Sequence, residues 1–152
     1  MPTASDVMVS PVIAVTNNST VSDVMEKFVA NRISGLPVVN DANEPIGFIS
    51  DGDIMKYIGY NNTVIVDYFT HLITWFDNET MEKKVHDLLK LNIMELANKR
   101  VITVDADTEL DNVAQILGNK RIKKVPVVKN KKLVGIISRG DIIRYIWNKV
   151  TT

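Results

Sequence analysis

The sequence predicts a mixed α/β (α+β) protein: two copies of one β-α-β-β-α unit, with a helical segment inserted between them. Three observations predict it. One strand–turn–helix pattern occurs twice, in the same internal order. Within each copy, short β-branched runs alternate with apolar residues at helical spacing. The residues between the copies match neither and carry their own helical periodicity.

The first copy opens on a β-branched run, Val12-Ile13-Ala14-Val15, which returns as Val101-Ile102-Thr103-Val104. A helix follows, entered through Ser19/Thr20 or Thr108. Its apolar positions are Val21, Val24, Met25, Phe28 and Val29 in one copy and Leu110, Val113, Ala114 and Leu117 in the other. Next, Arg32-Ile33-Ser34-Gly35-Leu36-Pro37-Val38-Val39 returns as Arg121-Ile122-Lys123-Lys124-Val125-Pro126-Val127-Val128 at the same offset. A tight turn (Asn40 to Pro45; Lys129 to Lys132) leads to a hairpin partner, Ile46 to Ile49 or Leu133 to Ile137. A last helix starts at Ser50 or Ser138 and carries Ile54, Tyr57 and Ile58, or Ile142, Ile143, Tyr145 and Ile146. From Gly47 to Ile58 and from Gly135 to Ile146, eight of twelve positions are identical. One such unit cannot cover both faces of its sheet, so the copies are expected to pack together.

These limits give repeats at 1–58 and 93–152, with an insert at 59–92. In the insert Val64/Ile65, Tyr68/Phe69, Leu72/Ile73 and Trp75/Phe76 recur at helical spacing, Asp77 to Thr80 form a break, and Met81, Val85, Leu88 and Leu89 mark a second amphipathic helix. So much apolar surface is expected to pack against the module.

Composition excludes several classes of function. There is no cysteine, so disulfides, thiolate zinc sites and cysteine nucleophiles are ruled out. The two histidines, His71 and His86, lie in the insert without the spacing of a metal pair. No Walker glycine loop, nucleophile elbow or catalytic constellation is visible, and no enzyme activity or metal is expected. The opening residues, with neither a basic nor an apolar stretch, lead us to expect a cytoplasmic protein without a membrane span. Charge is zero overall but segregated: residues 1–58 hold three Lys/Arg against seven Asp/Glu, and residues 99–152 hold twelve against five. That asymmetry fits solvated faces, an anion site in the second half, or head-to-tail pairing of basic and acidic halves.

The most informative motif is Gly-φ-φ-Ser-x-Gly-Asp, where φ is apolar, at 47–53 and 135–141. Ser50 and Ser138 are good N-caps, and Asp53 and Asp141 stand where a capping box needs an acid. The same geometry offers a hydroxyl and free amides to a phosphate, and a carboxylate to the two hydroxyls of a ribose. The residues alone leave both readings open.

Taken together, Val7-Met8 and Ile93-Met94 as entry segments, the paired Val-Ile-x-Val and φ-Pro-Val-Val strands and the two Ser-x-Gly-Asp turns resemble the CBS domain, twice. That resemblance implies a pseudo-two-fold pair with clefts that hold AMP, ADP, ATP or S-adenosylmethionine as a regulatory ligand. It also implies a homodimer and an effector protein encoded elsewhere. Carried over, Asp53 and Asp141 would hold the ribose, with Ser50 and Ser138 near the ribose or phosphate. Adenine would lie between the first strand (Ile13-Ala14; Ile102-Thr103) and the Pro-Val-Val strand (Leu36, Pro37 and Val38; Val125, Pro126 and Val127). Before that strand stand Ser34-Gly35 in the first copy and Lys123-Lys124 in the second, and after the turn serine stand Asp51 and Arg139. Cations attract phosphate and Asp51 repels it, so Lys123, Lys124 and Arg139 point to the second copy for a phosphorylated ligand, although such a phosphate can also be reached from the other domain. Two other functions compete: a nucleic-acid-backbone binder using the basic third, without a recognition helix or aromatic stripe to support it, and a ligand-free dimeric scaffold.

Overall fold

A computed structural model describes residues 1–61, 81–119 and 122–152. The apolar pairs expected at 64–76, the break at 77–80, His71, Lys120 and Arg121 lie outside the described residues. The first repeat contains α1 (Ala4–Val7), β1 (Val15–Thr16), α2 (Val21–Asn31), β2 (Gly35–Val39), β3 (Pro45–Ser50) and α3 (Asp51–Asn61). Residues 81–90 form α4, and a 3-10 turn follows at Ile93–Glu95. The second repeat contains β4 (Val104–Asp105), α5 (Leu110–Asn119), β5 (Lys124–Lys129), β6 (Lys132–Ser138) and α6 (Arg139–Thr151). Among the described residues no helix is long and apolar enough to cross a membrane.

Each repeat builds a three-stranded sheet, ordered β1-β2-β3 and β4-β5-β6. The first strand runs parallel to the second, and the second pairs antiparallel with the third. The first strands are shorter than the β-branched runs suggest. Parallel pairing begins only at Val15 opposite Val38 and at Val104 opposite Val127. The residues one step earlier would face Pro37 and Pro126, which have no N–H to donate, so the ladder stops there.

The helices cover one face of each sheet. Thr20 caps α2: its hydroxyl accepts the Asp23 N–H (3.3 Å), and the Asp23 carboxylate accepts the Thr20 N–H (2.8 Å). The second copy differs, because α5 begins at Leu110 with Glu109 in the place of Thr20. Thr108 is not its cap; its carbonyl instead accepts the Ala4 N–H (2.8 Å). Val21, Val24, Leu36, Val38 and Ile49 are fully buried in the first core, and Val113, Val125, Val127 and Ile137 in the second. Two expected core positions turn outward, Val29 on α2 and Ala114 on α5. On α2 the sheet takes the face of Val21, Val24 and Phe28, and the helical twist carries Val29 off it. Ile143 and Ile146 are likewise exposed, since only the face of Ile142 and Tyr145 meets the second core.

The stretch leading into each repeat packs on the other one. Ala4 is fully buried in the second core, and Leu88 and Ile93 are fully buried in the first. Val9 and Ile136 exchange backbone hydrogen bonds (2.8 and 3.1 Å), as do Phe48 and Asn98 (3.0 and 2.9 Å). Each sheet thereby gains a short antiparallel edge from the opposite repeat. This pairing also corrects the correspondence of the entry segments: Val7-Met8 match Leu96-Ala97, displaced toward the strand from Ile93-Met94. Met8 is pressed onto β6 at Gly135, where an added Cβ would fall 2.8 Å from Met8 Cβ and 2.3 Å from Sδ. At the equivalent Gly47 the nearest atom, Ala97 Cβ, is 3.5 Å away. Gly135→Ala should therefore destabilise the fold by about 1–3 kcal/mol through overpacking. Gly47→Ala should change the urea midpoint far less, and equal effects of the two would remove the exchange as the cause.

Candidate functional site

Residues of both repeats line a cleft of about 380 Å³. The first repeat contributes the Ser50–Asp53 turn, Phe48 and Ser34-Gly35. The second contributes the entry stretch from Asn98 to Ile102 and the start of β5, Ile122 to Lys124 with Pro126. The Phe48–Asn98 backbone pair is the hinge line of this arrangement, because it lays the entry stretch along β3. Gly35 gives the Phe48 ring its place: a Cβ there would stand 2.9 Å from Phe48 Cε1.

The turn is built as a cap. Ser50 donates its N–H (2.9 Å) and its hydroxyl (3.1 Å) to Asp53 Oδ2, and its hydroxyl accepts the Asp53 N–H (3.4 Å). The amides at the start of α3 are engaged: Asp51 donates to the Ser34 carbonyl and Gly52 to the Asp51 carboxylate, both at 2.8 Å. An anion is therefore not offered this helix end. Asp53 Oδ1 has no partner among the described residues, and it remains available to a hydroxyl donor.

Charge is divided across the cleft. Asp51 and Asp53 stand on the wall of the first repeat, and Arg100, Lys123 and Lys124 on that of the second. Phe48, Ile102, Ile122 and Pro126 add apolar surface to the same cleft. A molecule with a diol at one end, a flat apolar body and an anionic group at the other matches this layout.

The expected site residues divide unevenly. Ser50, Asp53, Ile102, Lys123, Lys124 and Pro126 line the cleft together. Ser138, Arg139 and Asp141, which the sequence grouped with Lys123 and Lys124, start α6 and do not line it. Arg139 is not poised for an anion: its guanidinium donates to the Leu117 carbonyl (2.8 and 3.2 Å) and to the Ile122 carbonyl (3.1 Å). It closes the end of α5, where orphan carbonyls need donors. Leu36, Val38, Val125 and Val127 have no exposed surface and do not line the cleft. Pro37 is buried in β2, Ile13 packs against the first core, Ala14 is half-buried, and Thr103 is exposed outside the cleft. Sequence reasoning missed Phe48, Asn98, Arg100 and Ile122. Only the basic residue directly before the Val101 run carried a signal for Arg100.

Comparison with known proteins fits this geometry. The model of the CBS domain family matches residues 4–60 and again residues 93–148. The uncharacterized protein MJ1426 of Methanocaldococcus jannaschii is 31% identical over 147 residues, which cover 91% of this chain and 87% of that protein. CBSX1, a chloroplastic CBS domain-containing protein of Arabidopsis thaliana, is 29% identical; the match covers 83% of this chain and 55% of CBSX1, so the chain spans about half its length. The crystal structure of CBSX2 in complex with AMP superposes with a TM-score of 0.74 at 25% identity, covering 97% of this chain and 98% of that one.

Ser138 repeats the cap of Ser50: its hydroxyl accepts the Asp141 N–H (3.2 Å), and Asp141 Oδ2 accepts the Ser138 N–H (2.8 Å). Ser138→Ala should cost about 1 kcal/mol, the usual value of an N-cap. Thermal unfolding of the variant checks this, and an unchanged midpoint would show that the box does not hold α6.

Proposed function

The chain belongs to the CBS-domain family, and from that premise we propose that it is a regulatory module whose inter-repeat cleft binds an adenosine 5′-phosphate. The observation that carries this reading is the meeting of a free carboxylate oxygen on Asp53 with three cations, Arg100, Lys123 and Lys124, in one cleft. The carboxylate takes the ribose hydroxyls, the apolar surface of the cleft takes the base, and the cations take the phosphate. AMP, ADP and ATP are the ligands this arrangement favours. S-Adenosylmethionine would direct a sulfonium toward three cations, which disfavours it.

Binding, not chemistry, is the output of such a site. Each repeat supplies one wall, so a bound nucleotide bridges both and prefers the arrangement in which the walls meet it best. A regulatory effect follows if that arrangement is read by another protein, since a ligand shifts an equilibrium only by its differential affinity for the two states. A second copy of the chain is the partner expected first. The exposed apolar row Ile143, Ile146, Trp147 and Val150 on α6 supports self-association.

Calorimetry with AMP, ADP, ATP and S-adenosylmethionine tests the ligand. A hydrogen bond to a charged group is worth about 1.5–3 kcal/mol, so Asp53→Ala should weaken AMP binding roughly ten-fold or more. The double change Lys123→Gln and Lys124→Gln should weaken it as well and flatten its dependence on salt. If all four ligands fail to bind, or if Asp53→Ala binds AMP as the wild type does, the cleft reading fails. Analytical ultracentrifugation tests self-association: Trp147→Glu should shift a dimer toward monomer, and an unchanged mass would remove α6 from the contact.

A further inference from the structure

The two Ser-x-Gly-Asp turns share their caps, but their outer carboxylate oxygens do not share a fate. Asp53 Oδ1 has no partner among the described residues. Asp141 Oδ1 is held by Arg144 Nη2 at 2.6 Å. The guanidinium lies across the turn as well as against the acid: a Cβ added to Gly140 would stand 3.3 Å from Arg144 Nη1. Asp141 is only 13% exposed in its side chain, whereas Arg144 is 70% exposed. The oxygen that would meet a diol is thus covered by a side chain that itself reaches solvent. In the first repeat the position of Arg144 is occupied by Lys56, which makes no ion pair with Asp53. An arginine one turn into the helix presents a planar fork that reaches back to the carboxylate and stays charged. A lysine presents a flexible point charge that remains in water.

The remaining differences run the same way. Where the cleft has Lys123-Lys124, the equivalent residues of the first repeat are Ser34-Gly35, and Pro11 stands in the place of Arg100. Arg139, within the second turn itself, is committed to the Leu117 and Ile122 carbonyls, while Lys123 and Lys124 flank the turn through the Arg139 N–H to Lys123 carbonyl bond (3.1 Å) and the Lys124–Ser138 strand pair. The Asp141 turn therefore has no free ribose acceptor.

We propose that Arg144 is the residue that closes the second turn to ribose, so that each chain binds one nucleoside ligand, at Asp53. This rests on the cleft reading given above and adds to it a stoichiometry and the residue that sets it. Lys123 and Lys124 line the Asp53 cleft and flank the Asp141 turn as well, so adenosine, which tests the ribose acceptor alone, is the probe for the opened turn.

The experiment is calorimetric titration of the full chain with AMP and with adenosine, comparing the wild type, Arg144→Lys, Lys56→Arg and the double change Arg144→Lys with Asp141→Ala. The wild type should take one equivalent of each ligand per chain. Arg144→Lys, which gives the second turn the residue found in the first, should take two equivalents of adenosine, the second lost again when Asp141 is removed. Lys56→Arg should weaken the first site. Two equivalents in the wild type, or one in Arg144→Lys, would overturn the role of Arg144 while leaving the Asp53 cleft intact. Failure of the wild type to bind either ligand would overturn the cleft reading and this proposal together.

Discussion

The exchange of entry segments is the constraint on which the rest of the molecule depends. A three-stranded sheet leaves an edge of unpaired N–H and C=O groups, and a buried edge must be satisfied. Here the edge of β3 is met by Asn98 and the edge of β6 by Val9, each from the stretch that leads into the other repeat. The apolar counterparts of those bonds are Ile93 and Leu88 in one core and Ala4 in the other. Neither repeat is complete without a piece of its neighbour. This holds the two together more firmly than contact between two finished domains would.

The cleft is a by-product of that exchange. Because Asn98 must lie against Phe48, the residues that follow it, Arg100 to Ile102, run along the Ser50–Asp53 turn of the first repeat. An acid from one repeat and cations from the other come to face each other across a space neither would form alone. The hairpin tips close the assembly at another point: Leu133 donates its N–H to the Asn43 carbonyl (2.9 Å), and Lys132 donates to the Ala42 carbonyl. Asn43 adopts the left-handed conformation there (φ 61°), which asparagine tolerates well. A ligand spanning the cleft therefore acts on a joint that is also held by backbone hydrogen bonds between the repeats.

Duplication of a sequence does not duplicate a site. The Ser-x-Gly-Asp turn does the same structural work twice, ending one strand and starting one helix through a capping box. What surrounds it decides whether the acid is also free for something else. Arg144 against Lys56, and Arg139 against Asp51, are two of the substitutions that separate the copies, and both place a guanidinium on a neighbouring acceptor in the second. A charged side chain near a motif is thus no measure of charge offered to a ligand until its partners are known.

The sequence by itself determined the two-fold repetition, the order of strands and helices, and the caps at Thr20, Ser50 and Ser138. These follow from local periodicity and from hydrogen bonds spanning three residues, both of which are written in adjacent letters. It also named Asp53, Lys123, Lys124 and Ile102 as site residues, and it grouped the two lysines with the second turn, which they do flank. Only the tertiary structure decided that they also line the cleft of Asp53, because that meeting is between residues far apart in the chain. It also decided that Val29, Ala114 and Ile143 turn outward, that the first strands end opposite Pro37 and Pro126, and that Arg139 serves a helix end. The physical reason is common to all of them. Periodicity states which residues prefer burial, but what they are buried against, and which polar groups are left free, depends on how distant segments satisfy one another's backbone.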